Sequence, residues 1–160
     1  MKDSYTYPLQ IRWNAPHGGI VGSHEDGLPP LTVASPPEFG GPALTWSPEH
    51  MFVASIASCF MTTLLAIAEL SKLEIRAFEA DAVGTLVRGE DRRYRFSEVV
   101  IRPRLVLAKE KDRERALRIL EKSEDACLIT NSISAKVRVE PSLETAEPAE
   151  VDSALAVAGG

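Results

Sequence analysis

The sequence is poor in the residues from which metal sites are built. Its 160 residues include only two cysteines and three histidines. No Cys-x-x-Cys and no His-x-x-x-His pair occurs, so the spacing that usually supports zinc binding is missing and we expect no metal. The sequence also has no glycine-rich phosphate loop and no Gly-x-Ser-x-Gly nucleophile elbow, which disfavours nucleotide binding and serine-type hydrolysis.

An excess of positive charge is the second thing the sequence lacks. It contains 18 Lys and Arg against 23 Asp and Glu, which gives a net charge of −5. Such a chain has no basic field to attract a phosphate backbone, so we expect no nucleic-acid partner. The first residues, Met-Lys-Asp-Ser-Tyr-Thr-Tyr, contain no apolar signal core. We therefore expect a cytoplasmic protein whose two cysteines are thiols rather than a structural disulfide.

What the sequence does contain is one long apolar run, residues 51–68. Its length approaches that of a membrane span, but Glu49 and Glu69 bracket it and several hydroxyl residues interrupt it. Ser47 is a suitable N-cap and Pro48 a suitable first helical residue. Because a helix that is apolar on nearly every side is usually buried on every side, we expect the long central helix of a soluble protein, with no membrane contact.

The remaining pattern predicts an α+β fold with antiparallel sheets around this helix. Three short strands should precede the helix, and a hairpin, a charged helix and a last strand should follow it. The expected ranges are strands 5–13, 20–21, 31–35, 74–88, 93–107 and 133–139, with a second helix over 109–126. We place one domain at residues 1–140 and a disordered tail at 141–160. One small sheet shields only one side of the central helix, so we expect a second subunit to cover the other.

The two cysteines lie in different helical contexts. Cys59 is inside the apolar run, whereas Cys127 follows Glu124-Asp-Ala at the end of the charged helix, 68 positions later. They are either a two-thiol redox pair or two small core residues. Burial alone would raise the pKa of Cys59, so a reactive thiolate there needs a nearby cation. Cys127 would lie in the negative field of a helix C-terminus, which suits the less acidic thiol of a pair.

The segment Ser47-Pro-Glu-His-Met-Phe-Val-Ala-Ser-Ile-Ala-Ser-Cys59-Phe, followed by Glu124-Asp-Ala-Cys127-Leu-Ile-Thr-Asn-Ser132, resembles the OsmC/Ohr family. Pro36-Pro-Glu-Phe-Gly-Gly-Pro42 looks like its OsmC-like branch. The resemblance implies an intertwined α+β homodimer with two active sites at the subunit interface. It also implies a thiol peroxidase that reduces organic hydroperoxides and is recycled by a thiol reductant, without a metal or bound organic cofactor.

Position by position, the resemblance makes Cys59 the peroxidatic cysteine, Cys127 the resolving cysteine and Glu49 the glutamate that organises the site. Family members also carry an arginine in the first β-hairpin. Residues 14–35, where we expect that hairpin, contain no arginine, and Arg12 comes just before them. Arg12 is therefore our candidate for this role.

Each of these assignments has a simpler alternative. Glu49 is also a first-turn residue that complements the helix dipole. It precedes Cys59 by ten positions, about 15 Å along a straight helix, so it would serve the site of a second subunit or act through an arginine. Arg12 alternates with Ile11 and Trp13 and could be a solvated strand residue. The alternative for the whole protein is a non-catalytic OsmC-fold dimer that binds a small apolar ligand at its interface.

Overall fold

The computed structural model of the chain describes residues 3–25 and 27–146. The chain divides into two compact units, residues 1–56 and 57–160, and helix α1 begins in the first and ends in the second. The helices and strands, in chain order, are β1 (Leu9–Ala15), β2 (Gly18–Ser23), β3 (Leu31–Ala34), α1 (Pro48–Leu70), β4 (Ile75–Arg88), β5 (Tyr94–Leu107), α2 (Arg113–Ala126), β6 (Lys136–Val139) and β7 (Ser142–Thr145).

The first unit contains a three-stranded antiparallel sheet in the order β1-β2-β3. Strand β1 lies at its edge, and all seven of its residues are exposed. The strand continues past Trp13 to Ala15, beyond the point where the apolar alternation ends. Arg12 pairs with Ile20 of β2 and therefore lies inside the first hairpin. The expectation that it lies just before the hairpin was wrong.

The loop after β3 owes its shape to the Pro-Pro-Glu-Phe-Gly-Gly segment. A 3-10 turn over Pro37–Phe39 ends at Gly40, whose φ of 84° lies in the left-handed region that glycine adopts without strain. A side chain on Gly41 would overlap the carbonyl oxygen of Ser35 at 1.5 Å. The backbone of this loop therefore requires both glycines, and the loop leads into helix α1.

Helix α1 begins with a reciprocal cap between Ser47 and His50. The His50 N–H donates to the Ser47 hydroxyl at 3.3 Å, and the Ser47 N–H donates to His50 Nδ1 at 3.3 Å. This is the arrangement of a capping box, with histidine in the position that glutamate usually takes. The predicted N-cap at Ser47 is confirmed, and its side chain is fully buried.

Within the chain, α1 buries one stripe rather than its whole circumference. Its fully buried residues recur every four positions, at Ile56, Phe60, Leu64 and Ala68. Other apolar residues of the helix are open, with Leu70 84% exposed. The helix is long and apolar enough to cross a membrane by length and composition, a criterion that core helices of soluble proteins also meet. The expectation that α1 is buried on every side is therefore not met within the single chain.

The second unit is built on the long β4–β5 hairpin, which confirms the strands predicted over 74–88 and 93–107. Both strands have 14 residues and pair antiparallel along nearly their whole length. Strands β6 and β7 both pair parallel with β5, at Glu98–Ile101 and at Arg104–Leu107 respectively. The sheet is therefore mixed, and the expectation of purely antiparallel sheets was wrong. Helix α2 forms the crossover that a parallel β5–β6 pair requires.

Strand β7 also corrects the predicted start of the tail. Residues 142–145 fall in the predicted disordered tail, yet they form a strand. Arg104 of β5 attaches to it through a bidentate ion pair with Glu144 at 2.7 and 2.8 Å. A four-residue strand of this composition has too weak an alternation to be recognised from sequence. The rest of the predicted tail, 147–160, lies outside the described residues.

The core of the second unit lies between the sheet and α2. Most of the buried residues of the sheet belong to β5, namely Val99, Val100, Ile101, Pro103, Leu105 and Leu107. Helix α2 starts after a 3-10 turn at Glu110–Asp112 and buries a stripe of Ala116, Ile119, Leu120 and Ser123. Leu117, next to this stripe, is 42% exposed. The turn at the C-terminus of α2 leads directly into the candidate site.

Candidate active site

Two thiols, Cys59 of α1 and Cys127 just after α2, meet within the second unit. Each thiol is among the groups that shift the pKa of the other, so the two lie close together, and both cysteines are free thiols. Cys127 is fully buried, whereas Cys59 is partly accessible. The fold therefore brings together two residues that are 68 positions apart. One thiol of the pair is thus open to small molecules, whereas the other is enclosed.

Backbone amides, rather than a basic side chain, favour the thiolate at Cys59. Burial is the largest single influence and raises its pKa. Hydrogen bonds from the Ile129 N–H, the Cys127 thiol, the Leu128 N–H and the Thr63 hydroxyl outweigh it, so the pKa of Cys59 lies below its ordinary value. Among the described residues of the second unit, no lysine or arginine contributes to this shift.

The turn after Cys127 explains why two amides are available. Cys127 has an extended backbone with φ −68° and ψ 114°, and Ile129 is helical with φ −69° and ψ −44°. The chain therefore begins a new helical turn, in which the Asn131 N–H donates to the Cys127 carbonyl at 3.0 Å. The first N–H groups of such a turn have no carbonyl within it to bind, so they can donate to a thiolate.

Side chains hold this turn in place. The Asn131 amide donates to the Asp125 carbonyl at 2.9 Å, and the Ser132 hydroxyl donates to the Leu128 carbonyl at 2.7 Å. The first bond joins the turn to the last residues of α2, and the second closes the turn on itself. The donor amides consequently have a fixed direction, as a preorganised anion site needs.

The pKa of Cys127 moves in the opposite direction. Burial raises it most, the hydroxyl and N–H of Thr130 lower it, and the neighbouring Cys59 raises it again. The result is a pKa above the ordinary value for a cysteine. The sequence predicted this direction from the helix C-terminus, whereas the main physical cause is burial. Cys59 is therefore the more acidic thiol of the pair.

The other two predicted site residues, Arg12 and Glu49, belong to the first unit, whereas both cysteines belong to the second. Arg12 is exposed on β1. Glu49 is in the first turn of α1, where the Oε2 atom is buried and has no hydrogen-bond partner among the residues that the structure describes. A buried carboxylate oxygen without a donor is costly. Its catalytic role, like that of Arg12, stays a prediction.

The first unit also contains a cavity of about 410 Å³. It lies between the β1–β2 turn and the loop after β3, with His17 at the turn and Thr45 at the loop. Most of the other residues around it are glycine, alanine, valine or proline. Within residues 3–25 and 27–146, no cluster of three or more His, Cys, Asp or Glu side chains could hold a metal ion.

Sequence reasoning missed four groups of the site, for two different reasons. Thr63 follows Cys59 by four positions and so lies on the same helix face, a spacing that could have revealed it. Thr130 and the amides of Leu128 and Ile129 depend on a backbone reversal after α2. No residue type marks that geometry, because any amino acid other than proline supplies an N–H.

Comparisons with known proteins agree with this architecture. The family model described as OsmC-like protein matches residues 40–142, a range that includes both cysteines and Glu49. A relative from Bacillus subtilis, the uncharacterized protein YmaD, is 27% identical over 143 residues, covering 88% of this chain and 93% of its own.

Two solved structures show the same fold. An OsmC-like protein of unknown function from Vibrio cholerae superposes with a TM-score of 0.79 at 19% identity, covering 87% of this chain and 100% of its own. The organic hydroperoxide resistance protein OhrB of Bacillus subtilis superposes with a TM-score of 0.63 at 23% identity, covering 88% and 98%. Some proteins of this fold are thus organic hydroperoxide resistance proteins. Because the family model spans more than half of the sequence, the chain belongs to the OsmC-like protein family.

Proposed function

We propose that this protein is a cytoplasmic thiol peroxidase that reduces organic hydroperoxides, with Cys59 as the attacking and Cys127 as the resolving cysteine. The observation that carries the proposal is the pair of free thiols, one partly accessible and one buried, whose pKa values are shifted in opposite directions. Such a pair supplies one nucleophilic thiol and one thiol that can form a disulfide with it after oxidation. Membership of a family that includes hydroperoxide resistance proteins supports the choice of substrate.

The chemistry needs two steps. The Cys59 thiolate attacks one peroxide oxygen, the O–O bond breaks, and the departing alkoxide takes a proton to leave as an alcohol. Cys59 becomes a sulfenic acid. Cys127 then attacks the Cys59 sulfur, hydroxide leaves and takes the Cys127 proton as water, and a disulfide forms. Two thiols are oxidised while one peroxide is reduced, and an external thiol reductant restores both cysteines.

We further propose that the active protein is a homodimer. Strand β1 and the residues before it expose apolar side chains at alternate positions, Tyr5, Tyr7, Leu9, Ile11 and Trp13. The uncovered sides of α1 are a second apolar surface. A second copy of the chain would cover both, and it would also provide a donor for the unpaired Oε2 of Glu49. In this arrangement Glu49 and Arg12 act at a site that both subunits form.

A thiol count tests the peroxidase proposal. An alkyl hydroperoxide is added to the reduced protein, and free thiols are measured over time. We expect rapid loss of two thiols per chain and no rapid loss in Cys59→Ser. Cys127→Ser is the matched control, because it should still form a sulfenic acid that dimedone traps at Cys59. Thiol loss no faster than that of free cysteine would defeat the proposal.

The cavity in the first unit supports a second candidate function, binding of a small apolar ligand without catalysis. Its volume is within the range of small-molecule sites. If this is the function, an apolar fluorescent dye should bind with the same affinity to the wild-type protein and to Cys59→Ser, while the thiols react with peroxide at the rate of free cysteine. A bulky substitution at Ala15 should then abolish dye binding.

A further inference from the structure

The C-terminal end of helix α1 is held by an arginine of α2. The Arg115 guanidinium donates from Nη1 to the Ser71 carbonyl and from Nη2 to the Lys72 carbonyl, both at 3.3 Å. Its Nη2 also forms an ion pair at 3.1 Å with Asp112, whose side chain is only 14% accessible. Arg115 itself is half-buried. We call Arg115 and these two carbonyls the arginine clamp, and the peroxidase chemistry above gives it no part.

The clamp binds a helix end of defined geometry. The Leu73 N–H donates to the Ala68 carbonyl at 2.9 Å. The Lys72 N–H donates to the Glu69 carbonyl at 3.0 Å. These are the two bonds of a Schellman motif, and Lys72 has the left-handed backbone that the motif requires, with a φ of 52°. This conformation is strained for a residue with a side chain, so it persists only where its surroundings hold it. The carbonyls of a helix C-terminus carry partial negative charge, which a guanidinium complements.

The clamp and the thiol pair lie at matched positions along the two helices. Cys59 precedes Ser71 by twelve positions on α1, and Arg115 precedes Cys127 by twelve positions on α2. At 1.5 Å per residue, each interval is about 18 Å long. The thiols lie close together at one end of these intervals, and the clamp joins the other ends. The two helical segments therefore run antiparallel, with the same length between their two points of contact.

We propose that Arg115 is a positioning residue for the disulfide between Cys59 and Cys127. By fixing the axial position of α2 against α1 at one end, the clamp fixes how the two sulfurs meet at the other. The proposal rests on the pairing of the two cysteines in the function above. It adds to that function a residue that touches neither sulfur.

The clamp acts through position rather than through charge. It lies about 18 Å from the thiols along either helix, which is more than twice the screening length of about 8 Å at physiological salt. A guanidinium at that distance has little influence on a thiolate. A disulfide, in contrast, needs its two α-carbons at about 4.4–6.8 Å from each other. An axial slip of α2 by one or two residues, about 1.5–3 Å, would exceed or exhaust that range.

The coupling between the two ends must be reciprocal. If the clamp favours the disulfide, the disulfide favours the clamp by the same factor. Oxidation should therefore slow hydrogen exchange at the amides of Lys72 and Leu73, although both lie far from the sulfurs. An arginine with a merely structural role would stabilise the reduced and the oxidised protein equally. It would leave the disulfide equilibrium unchanged.

Equilibration with glutathione tests the proposal without peroxide. Glutathione disulfide takes two electrons and the two thiol protons from the cysteines and leaves as two glutathione molecules. Arg115→Met should shift the equilibrium about tenfold toward the two thiols, which corresponds to a rise of about 30 mV in the reduction potential of the pair. Arg118→Met is the matched control, because Arg118 lies on the same helix and contacts Glu114 of that helix at 3.9 Å. It should leave the potential unchanged. Alkylation of the remaining thiols and mass spectrometry give the oxidised fraction.

Three results would overturn the proposal. They are an unchanged potential in a folded Arg115→Met protein, equal exchange at Lys72 and Leu73 in both redox forms, and a wild-type pair that glutathione disulfide does not oxidise. If Arg115→Met does not fold, Arg115→Lys replaces it. Lysine keeps the charge but offers one nitrogen instead of a fork, so part of the shift should remain, and no shift would again overturn the proposal. If the potential shifts as expected but peroxide oxidises the thiols no faster than free cysteine, the peroxidase function fails and the positioning role stands.

Discussion

The two units of the chain differ in the length of their strands and in how many of their residues they bury. The first has strands of seven, six and four residues, and one of them exposes every side chain. The second has two paired strands of 14 residues, a core between sheet and helix, and fully buried residues along β5. The second unit contains most of the fully buried apolar residues, whereas the first leaves a large share of its apolar residues open.

The same contrast holds for the candidate site. The second unit brings the two thiols together and supplies the donors that set their pKa values. The first unit holds Arg12, which is exposed, and Glu49, whose Oε2 lacks a donor among the described residues. Ionisation of the thiols is therefore a local property of one unit. The remaining parts of the proposed site depend on the homodimer that we propose.

The largest expected effect is on the core of the second unit. Phe60→Ala should lower the free energy of unfolding by about 3–5 kcal/mol, because it leaves a cavity at a residue that is 1% exposed. Leu65→Ala on the same helix is the control, since Leu65 is 43% exposed and should cost far less in the monomer. Urea unfolding gives both values. Equal losses would mean that α1 is covered on both sides.

The next effect concerns the exposed strand of the first unit. Trp13→Lys should weaken dimerisation by about 2–4 kcal/mol, because Trp13 is 83% exposed in the single chain and is an aromatic anchor of the proposed interface. Gln10→Lys places the same charge on the opposite face of β1 and should leave the dimer intact. Sedimentation velocity over a dilution series measures the change. A Trp13→Lys protein that stays dimeric would remove β1 from the interface.

A smaller effect is expected at the start of α1. Ser47→Ala should lower the free energy of unfolding by about 1 kcal/mol, because the cap with His50 is lost. His50→Ala removes the bonds of Nδ1 with the Ser47 N–H and hydroxyl but keeps the His50 N–H bond to Ser47, and the double variant completes a cycle. Thermal unfolding of the four proteins gives the coupling between the two residues. Additive losses would show that the two bonds do not act as one cap.

The smallest effect is expected at the exposed ion pairs of β7. Arg104→Met should leave the unfolding midpoint unchanged, because the Arg104 side chain is 46% accessible and its pairs are screened by solvent. Hydrogen exchange should nevertheless become faster at the amides of β7, which lose their attachment through Glu144. Arg118→Met, in a pair with a separation of 3.9 Å, should change neither measurement. A fall in the midpoint would place β7 in the cooperative core.

The sequence predicted the long elements well because they repeat one signal many times. The β4–β5 hairpin, the start of α1 at Ser47 and the family all followed from residue patterns. The short strand β7 and the parallel pairing of β6 did not, since four residues carry too little alternation to fix a partner. The site divided in the same way. Cys59 and Cys127 were evident as residue types, but the amides of Leu128 and Ile129 are set by backbone geometry alone.

Strand β7 has a consequence for how the chain behaves in solution. It covers four residues of β5, Arg104–Leu107, on the edge that β6 leaves free. A protein shortened after residue 140, the domain boundary that the sequence suggests, would expose these four residues as an open edge with unpaired N–H and C=O groups. Such an edge is a template on which another chain can add a strand. The segment that looks most dispensable therefore protects the protein against aggregation.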